Sequence, residues 1–360
     1  MRILLLTLIF YLTILPDQAE AESAFTILSN WNPEKTEWQT LKSYEELLRK
    51  NLPKDKFLVF GPSTIPTEHQ FKMSTLGIFD FLFTQAHSIP DKEKAAFLLE
   101  IWPHRPADLR KTAFWQAFEG HYNNKGLKIL SAISSGNGYH LLLRNKPNFC
   151  SLEGAKISVP PPFDGFVEQL SGVPIKRNRT ITQEDLKNDD LEGFFAPIRE
   201  HSSLSWSKNV RFRTQPIGNI NHLIFINLTK WNSLNEDDQQ KIYTASLALE
   251  NKIYALRKRR AGGFFADLQK KNIEAIDFCE TQTDLLNDAF SVQVFEVVSE
   301  GSEEILRPKM FKKRVENIVD GILLDDNEVN SHIECNSTII SCTIRCIPQG
   351  EGIIKVCIFA

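Results

Sequence analysis

The side chains that stand out as binding groups are aromatic rings and neutral hydrogen-bonding groups. Trp31 and Asn32 directly follow a short apolar segment, and Tyr139 and His140 follow a Gly-Asn-Gly turn. Phe163 follows three consecutive prolines, a rigid loop that could present its ring. Aromatic walls exclude water from a bound molecule, and a few polar groups fix its orientation. These residues are candidates for a binding surface, with core packing or turn chemistry as the alternative role.

Motifs for the common catalytic chemistries are absent from the sequence. It contains no G-x-S-x-G nucleophile motif, no H-E-x-x-H metal motif and no Cys/His signature. The eight histidines are scattered without paired-ligand spacing, which argues against a metal site. Paired carboxylates leave no local pattern, so a secreted hydrolase stays open as an alternative. We expect no metal and no cofactor.

The overall composition excludes other classes of protein. The chain has 360 residues, of which 42% are hydrophobic and 24% charged. That composition is globular, and the length fits one large domain or two lobes of ordinary size. Lys plus Arg number 42 against 45 for Asp plus Glu, a net charge of −3. A general nucleic-acid binder needs a basic excess, so we expect no nucleic-acid partner and interpret the basic run at 257–260 as a solvated helix face.

The first 21 residues have the three parts of a secretory signal. Arg2 supplies a positive end, residues 3–15 form a 13-residue apolar run, and Ala19-Glu20-Ala21 matches a cleavage site. The run is shorter than the roughly 20 residues that a membrane-spanning helix needs, although an uncleaved anchor is the alternative. We therefore predict a signal peptide at 1–21 and a mature protein that works outside the cytoplasm.

Short apolar segments alternate with amphipathic segments along the chain, which predicts strands and helices in turn. Predicted strands lie at 25–29, 57–60, 128–130, 139–143, 156–159, 222–227 and 273–278, and the clearest helices lie at 38–48, 109–124 and from 236 onward. Strands separated by helices indicate an α/β architecture with mostly parallel sheets. Gly262 and Gly263 would break or bend the last helix, or the helix continues to Asn272.

Five segments, in order, resemble the DctP-type solute-binding proteins of TRAP transporters. They are LGIFDFLF at 76–83, AFWQAFEGHYNNKGLKIL at 113–130, KPNFCSLEGAKISVP at 146–160, LEGFFAPI at 191–198 and HLIFINLTKWNSLNEDDQQKIYTASL at 222–247. No single segment is specific to that family. Together they extend the resemblance over about residues 25–280, behind a predicted export signal.

The resemblance implies an α/β fold of the two-lobed periplasmic-binding-protein type, in which each lobe is a sheet flanked by helices. Crossing strands near 132–143 and 223–227 and a long helix from Glu236 would join the lobes. After the signal peptide at 1–21, the chain would form the first part of lobe I at 22–140 and the first part of lobe II at 141–224. It would then return to lobe I with the long helix at 225–270, and to lobe II with C-terminal helices at 271–325. A Cys-containing tail of unknown role would follow at 326–360.

The resemblance also implies a function without catalysis. Such a protein captures a small organic solute in the cleft between its lobes, in the periplasm, and delivers it to the membrane subunits of a TRAP permease. The solute would be an organic acid, or an uncharged or aromatic compound. A ligand sensor with the same fold is an alternative reading, and a secreted hydrolase is a further one.

The resemblance adds cleft residues to those found from local sequence. Ser158 occupies the position of a family arginine, Phe195 matches a turn that lines the family cleft, and Asn219 and Asn221 precede the 222–227 strand. Packing or turn chemistry is the alternative role for each candidate. The full predicted set is Trp31, Asn32, Phe79, Tyr139, His140, Ser158, Phe163, Phe195, Asn219 and Asn221.

The sequence departs from the family where the family binds carboxylates. An arginine that commonly forms a two-pronged bond with the ligand's carboxylate is replaced by Ser158, and a second arginine position falls at Gly138. Either the solute is uncharged or largely apolar, or a displaced cation holds its acid. The candidates for such a displaced cation are Arg144, Arg177, Arg179 and Arg199.

Four of the six cysteines lie in the last 26 residues, at 335, 342, 346 and 357, and only Cys150 and Cys279 lie elsewhere. The spacing of the four tail cysteines fits no zinc-binding pattern. In an oxidising compartment the four tail cysteines could form two disulfides. We expect this tail to be an appended extension without a role in the cleft.

Overall fold

The computed structural model describes residues 24–299 together with 333–336 and 341–344. The first range has gaps at 34–35, 102–105, 135–137, 149, 178–182, 189, 198–203, 280 and 282–283. The predicted signal at 1–21, most of the tail, Arg179 and Arg199 lie outside the described residues. No helix in the described part has the length and apolar character needed to cross a bilayer.

Seven of the thirteen strands in the described residues lie on the predicted apolar segments. In chain order the thirteen are β1 (Ala24–Ser29), β2 (Lys56–Phe60), β3 (Phe81–Gln85), β4 (Leu127–Ser134), β5 (Tyr139–Leu143), β6 (Lys156–Val159), β7 (Val173–Lys176), β8 (Gly193–Pro197), β9 (Phe212–Thr214), β10 (Asn221–Asn227), β11 (Glu274–Ile276), β12 (Ile333–Asn336) and β13 (Ser341–Ile344).

The α-helices are α1 (Thr36–Asn51), α2 (Thr67–Thr75), α3 (Pro106–Leu109), α4 (Ala113–Asn123), α5 (Asp164–Gln169), α6 (Gln183–Asn188), α7 (Leu228–Ser233), α8 (Glu236–Lys270) and α9 (Leu285–Ser299). Short 3-10 segments lie at Ala86–Ser88, Asp91–Leu99 and Leu204–Lys208. The sequence does not predict α2, because its apolar residues are too few to mark a face.

Two sheets with helices around them form the two predicted lobes. The sheet of lobe I has the order β2-β1-β3-β10-β4, and the sheet of lobe II has the order β11-β9-β5-β8-β6-β7. Both sheets mix parallel and antiparallel pairs, because β10 and β5 run antiparallel to their neighbours. The prediction of mostly parallel sheets is therefore too simple. Each of these two strands arrives from the other lobe, so it enters its sheet from the opposite direction.

The chain passes between the lobes at two short crossings and along one helix. The first crossing lies between Ser134 and Tyr139 and the second between Thr214 and Asn221. The predicted boundaries at 141 and 225 fall inside β5 and β10, a few residues after each crossing. Sequence alone does not locate these points, since the strands on both sides are equally apolar.

Helix α8 belongs to the cores of both lobes. Its start is capped by Asn235, whose side chain accepts a hydrogen bond from the backbone N–H of Asp238 at 2.8 Å. Ile242, Leu249 and Ile253 lie in a lobe I core, and Leu268 lies in a lobe II core. The helix continues through the two glycines to Lys270, which settles the choice that the sequence left open.

A disulfide that the sequence analysis did not anticipate joins Cys150 to Cys279, with 4.6 Å between their Cα atoms. It links the segment before β6 to the segment after β11, just ahead of α9. In the tail, β12 pairs antiparallel with β13 and places Cys335 opposite Cys342. The bonded pair closes a sequence separation of 129 residues.

Removing this disulfide should destabilise lobe II. Loss of a native disulfide of this kind costs about 2–5 kcal/mol, so we expect the double variant Cys150→Ser, Cys279→Ser to melt at least about 5 °C below the wild-type chain. Scanning calorimetry of both proteins measures this difference. Equal melting temperatures would show that packing alone holds the start of α9.

Candidate functional site

The two sheets meet at their carboxyl ends, beside the crossings. Tyr139 begins β5 opposite Pro197, the last residue of β8. The backbone N–H of Tyr139 donates to the carbonyl of Ile217 at 2.9 Å, and Ile217 N–H donates back at 2.8 Å. Ligands of open α/β sheets bind in the crevice outside these strand ends. Residues that follow β1, β3, β6 and β8 are therefore the candidates for a site.

Three predicted residues come together in one aromatic cluster. Tyr139 stacks on Phe195 with ring centroids 4.9 Å apart, and Phe163 packs edge-on against both rings. Phe290 of α9 contacts all three, at 5.1–5.9 Å. All four side chains are buried. The cluster forms a packed wall between the lobes, and Phe290 is a member that the sequence analysis missed.

The two predicted asparagines lie at the same junction, bound to the segment that ends at Glu100. The backbone N–H of Asn219 donates to the carbonyl of Glu100 at 2.5 Å, and the side-chain amide of Asn221 donates to the carbonyl of Leu99 at 3.0 Å. The hydroxyl of Tyr139 donates to the Glu100 carboxylate at 3.1 Å. These contacts tie the aromatic wall of lobe II to lobe I.

On the opposite face of the lobe I sheet, under α8, Trp31 packs against a buried imidazole. Its ring centroid lies 4.9 Å from those of His222 and Phe83. The amide of Gln85 donates to Nδ1 of His222 at 3.1 Å. Burial, and then the nearby charge of Arg257, holds the pKa of His222 well below its usual value. His222 is therefore neutral at pH 7.

Lobe II places a second buried imidazole under the far part of α8. Nδ1–H of His140 donates to the carbonyl of Thr214 at 2.8 Å, and the ring lies 6.0 Å from that of Phe265. Burial lowers the pKa of His140 to about 4, against a small upward effect of that hydrogen bond. The guanidinium carbon of Arg213 lies 4.4 Å from the same Phe265 ring. Each lobe thus holds a neutral histidine near an arginine.

A third histidine, His87, lies in the short 3-10 segment that follows β3. The side chain of His87 is exposed to solvent, yet the surrounding protein and then the charge of Lys94 lower its pKa to about 4. Its neighbour Ser88 accepts a hydrogen bond from the Asn30 amide at 2.8 Å.

Sequence analysis missed His222, Gln85 and Arg213. His222 is the second residue of β10 and Gln85 is the last residue of β3. Most other residues of both strands are apolar, so a polar side chain near a strand end would have been a usable signal. Arg213 was missed because the short strand β9 was not predicted at all. Its three residues carry too little periodicity to be recognised.

Ser158 is buried on the face of the lobe II sheet that carries His140. It lies in register with Phe194 of β8 and Ile175 of β7. Because successive residues of a strand alternate between faces, Ser158 points away from Phe195 and the aromatic wall. Ser158 is only 2% exposed, so its side chain can affect the cleft only through the residues that surround it.

Gly138, the second arginine position, has no room for a side chain. A Cβ atom built there would lie far inside contact distance of the carbonyl oxygens of Ile217 and Gly218. The crossing segment occupies the space that an arginine would need. The loss of that cation is therefore built into the backbone.

The displaced cations that the sequence suggested do not reach this edge in the described part of the chain. Arg177 pairs with Asp185 at 3.1 Å. Arg144 follows the last residue of β5, at the end of the sheet away from the cleft. Arg179 and Arg199 lie outside the described residues.

Phe79 and Asp80 lie at the edge of lobe I opposite to the cleft. They precede β3, beside the start of β1, where the Asp80 carboxylate accepts hydrogen bonds from the N–H and hydroxyl of Thr26 at 2.8 and 2.9 Å. Phe79 packs edge-on against Phe60 at 5.4 Å. The structure does not bring Phe79 together with the other candidates. Asn32, by contrast, is exposed beside Trp31.

Comparison with solved structures identifies this architecture. A TRAP periplasmic solute-binding protein of Ochrobactrum anthropi superposes with a TM-score of 0.67 at 13% identity, over 85% of this chain and 99% of that one. The chain has the fold of the TRAP periplasmic solute-binding proteins. In the Ochrobactrum protein the C-terminus is bound in the ligand-binding pocket.

Two further TRAP solute-binding proteins have the same fold as this chain. An open, ligand-free structure from Rhodobacter sphaeroides gives a TM-score of 0.67 at 14% identity, over 83% of this chain and 99% of that one. A Ralstonia eutropha protein with bound (S)-2-acetolactate superposes with a TM-score of 0.62 at 12% identity, over 78% of this chain and 96% of that one. Neither the family models nor the curated proteins contain a match to this sequence.

Acid should destabilise the protein through its buried imidazoles. In the unfolded chain His140 takes a proton near pH 6.5, whereas in the folded chain it does so only near pH 4. Its contribution to stability is thus complete above pH 6.5 and is lost as the pH falls toward 4, up to about 3 kcal/mol. We expect His140→Asn to make the fall in unfolding free energy shallower over that range in urea titrations. An unchanged pH dependence of the unfolding free energy in this variant would contradict a neutral His140 in the folded chain.

Substitution of Gly138 should lower stability, because the backbone at Ile217 and Gly218 lies so close to it. We expect Gly138→Ala to lower the free energy of unfolding by about 1–3 kcal/mol, because the new methyl overlaps backbone atoms that cannot rotate away. Gly120→Ala in α4 is the matched control, since nothing lies within 4 Å of its Cβ position. Urea unfolding compares the two. Equal stability of both variants would contradict the overlap.

Proposed function

We propose that this chain is a non-enzymatic extracytoplasmic binding protein that captures a small organic solute between its lobes and delivers it to a TRAP-type permease. The observation that carries the proposal is the superposition on TRAP solute-binding proteins over 95–99% of their length in four of them. The sheet edges that form the ligand crevice in this fold are both present here.

The proposed site lies on the α8 side of the junction. Trp31 and His222 supply an aromatic wall and a neutral polar group from lobe I, and His140 supplies its counterpart from lobe II. His87 and Asn32 extend this surface toward solvent. A solute that bridges both lobes favours the closed arrangement by its differential affinity for the two states. Tyr139, Phe163 and Phe195 then support the site from the other side of the sheets.

Export from the cytoplasm is part of the proposal. The predicted signal at 1–21 supports it, and so does the disulfide between Cys150 and Cys279, because disulfides persist in oxidising compartments. Periplasmic location would give the protein access to a permease in the inner membrane.

The solutes of the related structures guide the choice of compounds. The Ralstonia eutropha protein holds acetolactate, and a Desulfovibrio desulfuricans protein with a TM-score of 0.65 holds sn-glycerol-3-phosphate. We therefore propose a small organic molecule with several oxygen atoms.

A thermal-shift screen of the mature chain tests the proposal, with organic acids, amino acids, sugars and aromatic compounds. A ligand at 100-fold its dissociation constant adds about 2.7 kcal/mol, so we expect at least one clear increase in melting temperature. Trp31→Ala should reduce that increase, and Lys241→Gln on the exposed face of α8 should not. NMR of the mixture should recover the solute unaltered. A screen without any hit, or with a chemically changed compound, would refute solute capture.

A further inference from the structure

The two crossings between the lobes are bonded to each other and to one residue of lobe I. Tyr139, at the end of the first crossing, exchanges two backbone hydrogen bonds with Ile217 of the second, at 2.9 and 2.8 Å. The hydroxyl of Tyr139 donates to the Glu100 carboxylate at 3.1 Å, and the backbone N–H of Asn219 donates to the Glu100 carbonyl. The side chains of Tyr139 and Glu100 are both buried. Glu100 is therefore bonded to both crossings.

The segment that ends at Glu100 is attached to lobe I. The hydroxyl of Tyr122 in α4 donates to the Glu93 carbonyl at 3.2 Å, and the Lys125 ammonium lies 2.9 Å from the Glu93 carboxylate. Helix α4 packs against β4 of the lobe I sheet. Tyr139, by contrast, begins β5 of the lobe II sheet. The bond between the Tyr139 hydroxyl and Glu100 thus joins the two lobes through side chains, beside the point where the chain crosses.

Helix α9 holds the second crossing from the other side. Oδ1 of Asn287 accepts a hydrogen bond from the backbone N–H of Gly218 at 2.9 Å. A Cβ atom at Gly218 would lie 2.5 Å from the Phe290 ring and 2.8 Å from the Glu100 carbonyl oxygen, so the crossing passes tightly between α9 and Glu100. Helix α9 itself packs against α5 of lobe II and against the 91–99 segment of lobe I.

We propose that Tyr139, Glu100 and Asn287 form an interlobe latch, which sets the free-energy difference between two angular arrangements of the lobes. A hydrogen bond is lost once its heavy atoms separate beyond about 3.5 Å. A rotation at the crossings therefore breaks the contact of the long Tyr139 side chain before it disturbs the backbone bonds to Ile217. Solute affinity depends on the latch, because a binding arrangement that is less populated binds more weakly. This last step rests on the proposed function, and it assigns control of affinity to positioning residues that do not contact the solute.

The competing explanation is that these bonds persist in every arrangement of the lobes and only stabilise the junction. Loss of one bond would then lower the melting temperature and leave the distance between the lobes unchanged. Tyr122 provides the matched comparison, because its buried hydroxyl also donates one hydrogen bond, to the Glu93 carbonyl, but inside lobe I. The two explanations therefore differ in the interlobe distance and not in stability.

Single-molecule fluorescence energy transfer on the ligand-free mature chain measures that distance. The two dyes are carried by unnatural amino acids at Lys50 of α1 and Lys187 of α6, which are exposed and lie one on each lobe. We expect Tyr139→Phe to lower the population of the main wild-type distance, relative to all others, by about 10-fold, the effect of losing one buried hydrogen bond to a charged group. Tyr122→Phe should leave the distribution as in the wild type. A Tyr139→Phe distribution identical to that of Tyr122→Phe would overturn the inference.

A second pair of variants tests the part played by α9. Asn287→Ala removes the acceptor for the Gly218 N–H and should shift the distance distribution in the same direction as Tyr139→Phe, by about 3–5-fold. Ser291→Ala, one turn further along α9, removes only a bond to the Asn287 carbonyl at 2.7 Å within the helix and is the control. Melting curves establish that each variant is folded. Equal distributions for Asn287→Ala and Ser291→Ala would overturn the latch as stated.

A solute found in the thermal-shift screen supplies the second readout. Linkage requires its dissociation constant in Tyr139→Phe to change by the factor by which the population of the binding arrangement changes, and the ranking of solutes should stay as in the wild type. A changed ranking with an unchanged distance distribution would make Tyr139 a solute contact and overturn the latch. If the screen finds no solute while Tyr139→Phe still shifts the distance, solute capture is wrong and the latch stands.

Discussion

The structure depends on one helix that is built into the cores of both lobes. Helix α8 buries Ile242 and Ile253 in lobe I and Leu268 in lobe II, so neither lobe can be completed without the other. A partly buried ion pair fixes its middle, where Arg110 contacts the Glu250 carboxylate and the Ser131 hydroxyl donates to it at 2.9 Å. The helix thereby sets the position of the two sheet edges relative to each other.

Polar groups at those edges have to be buried without losing their hydrogen bonds. His222 and His140 meet this requirement as neutral imidazoles, each with one ring nitrogen bonded inside the protein. Burial disfavours their charged form, so both stay neutral at pH 7 although each has an arginine nearby. The arrangement leaves Nε2 of His140 without a hydrogen-bond partner among the described residues, whereas the Tyr139 cluster fills the other side with packed rings.

The backbone explains why Gly138, one of the positions where the family resemblance places an arginine, carries no side chain. The crossing segment at Ile217 and Gly218 lies against Gly138, so no side chain can extend there, and Ser158 is enclosed by neighbouring strands.

The sequence by itself determined seven of the thirteen described strands and the start of the long helix near Glu236, because hydrophobic periodicity and helix start signals are local properties of the chain. The two-lobed fold class came from the resemblance of five segments, in order, to a known family. The sequence also identified Trp31 and His140 as residues at strand ends. Only the tertiary structure decided that Phe79 lies at the opposite edge, that Cys150 pairs with Cys279, and which residues share a sheet face. These depend on strand order and register, which bring distant segments together and which no local pattern records.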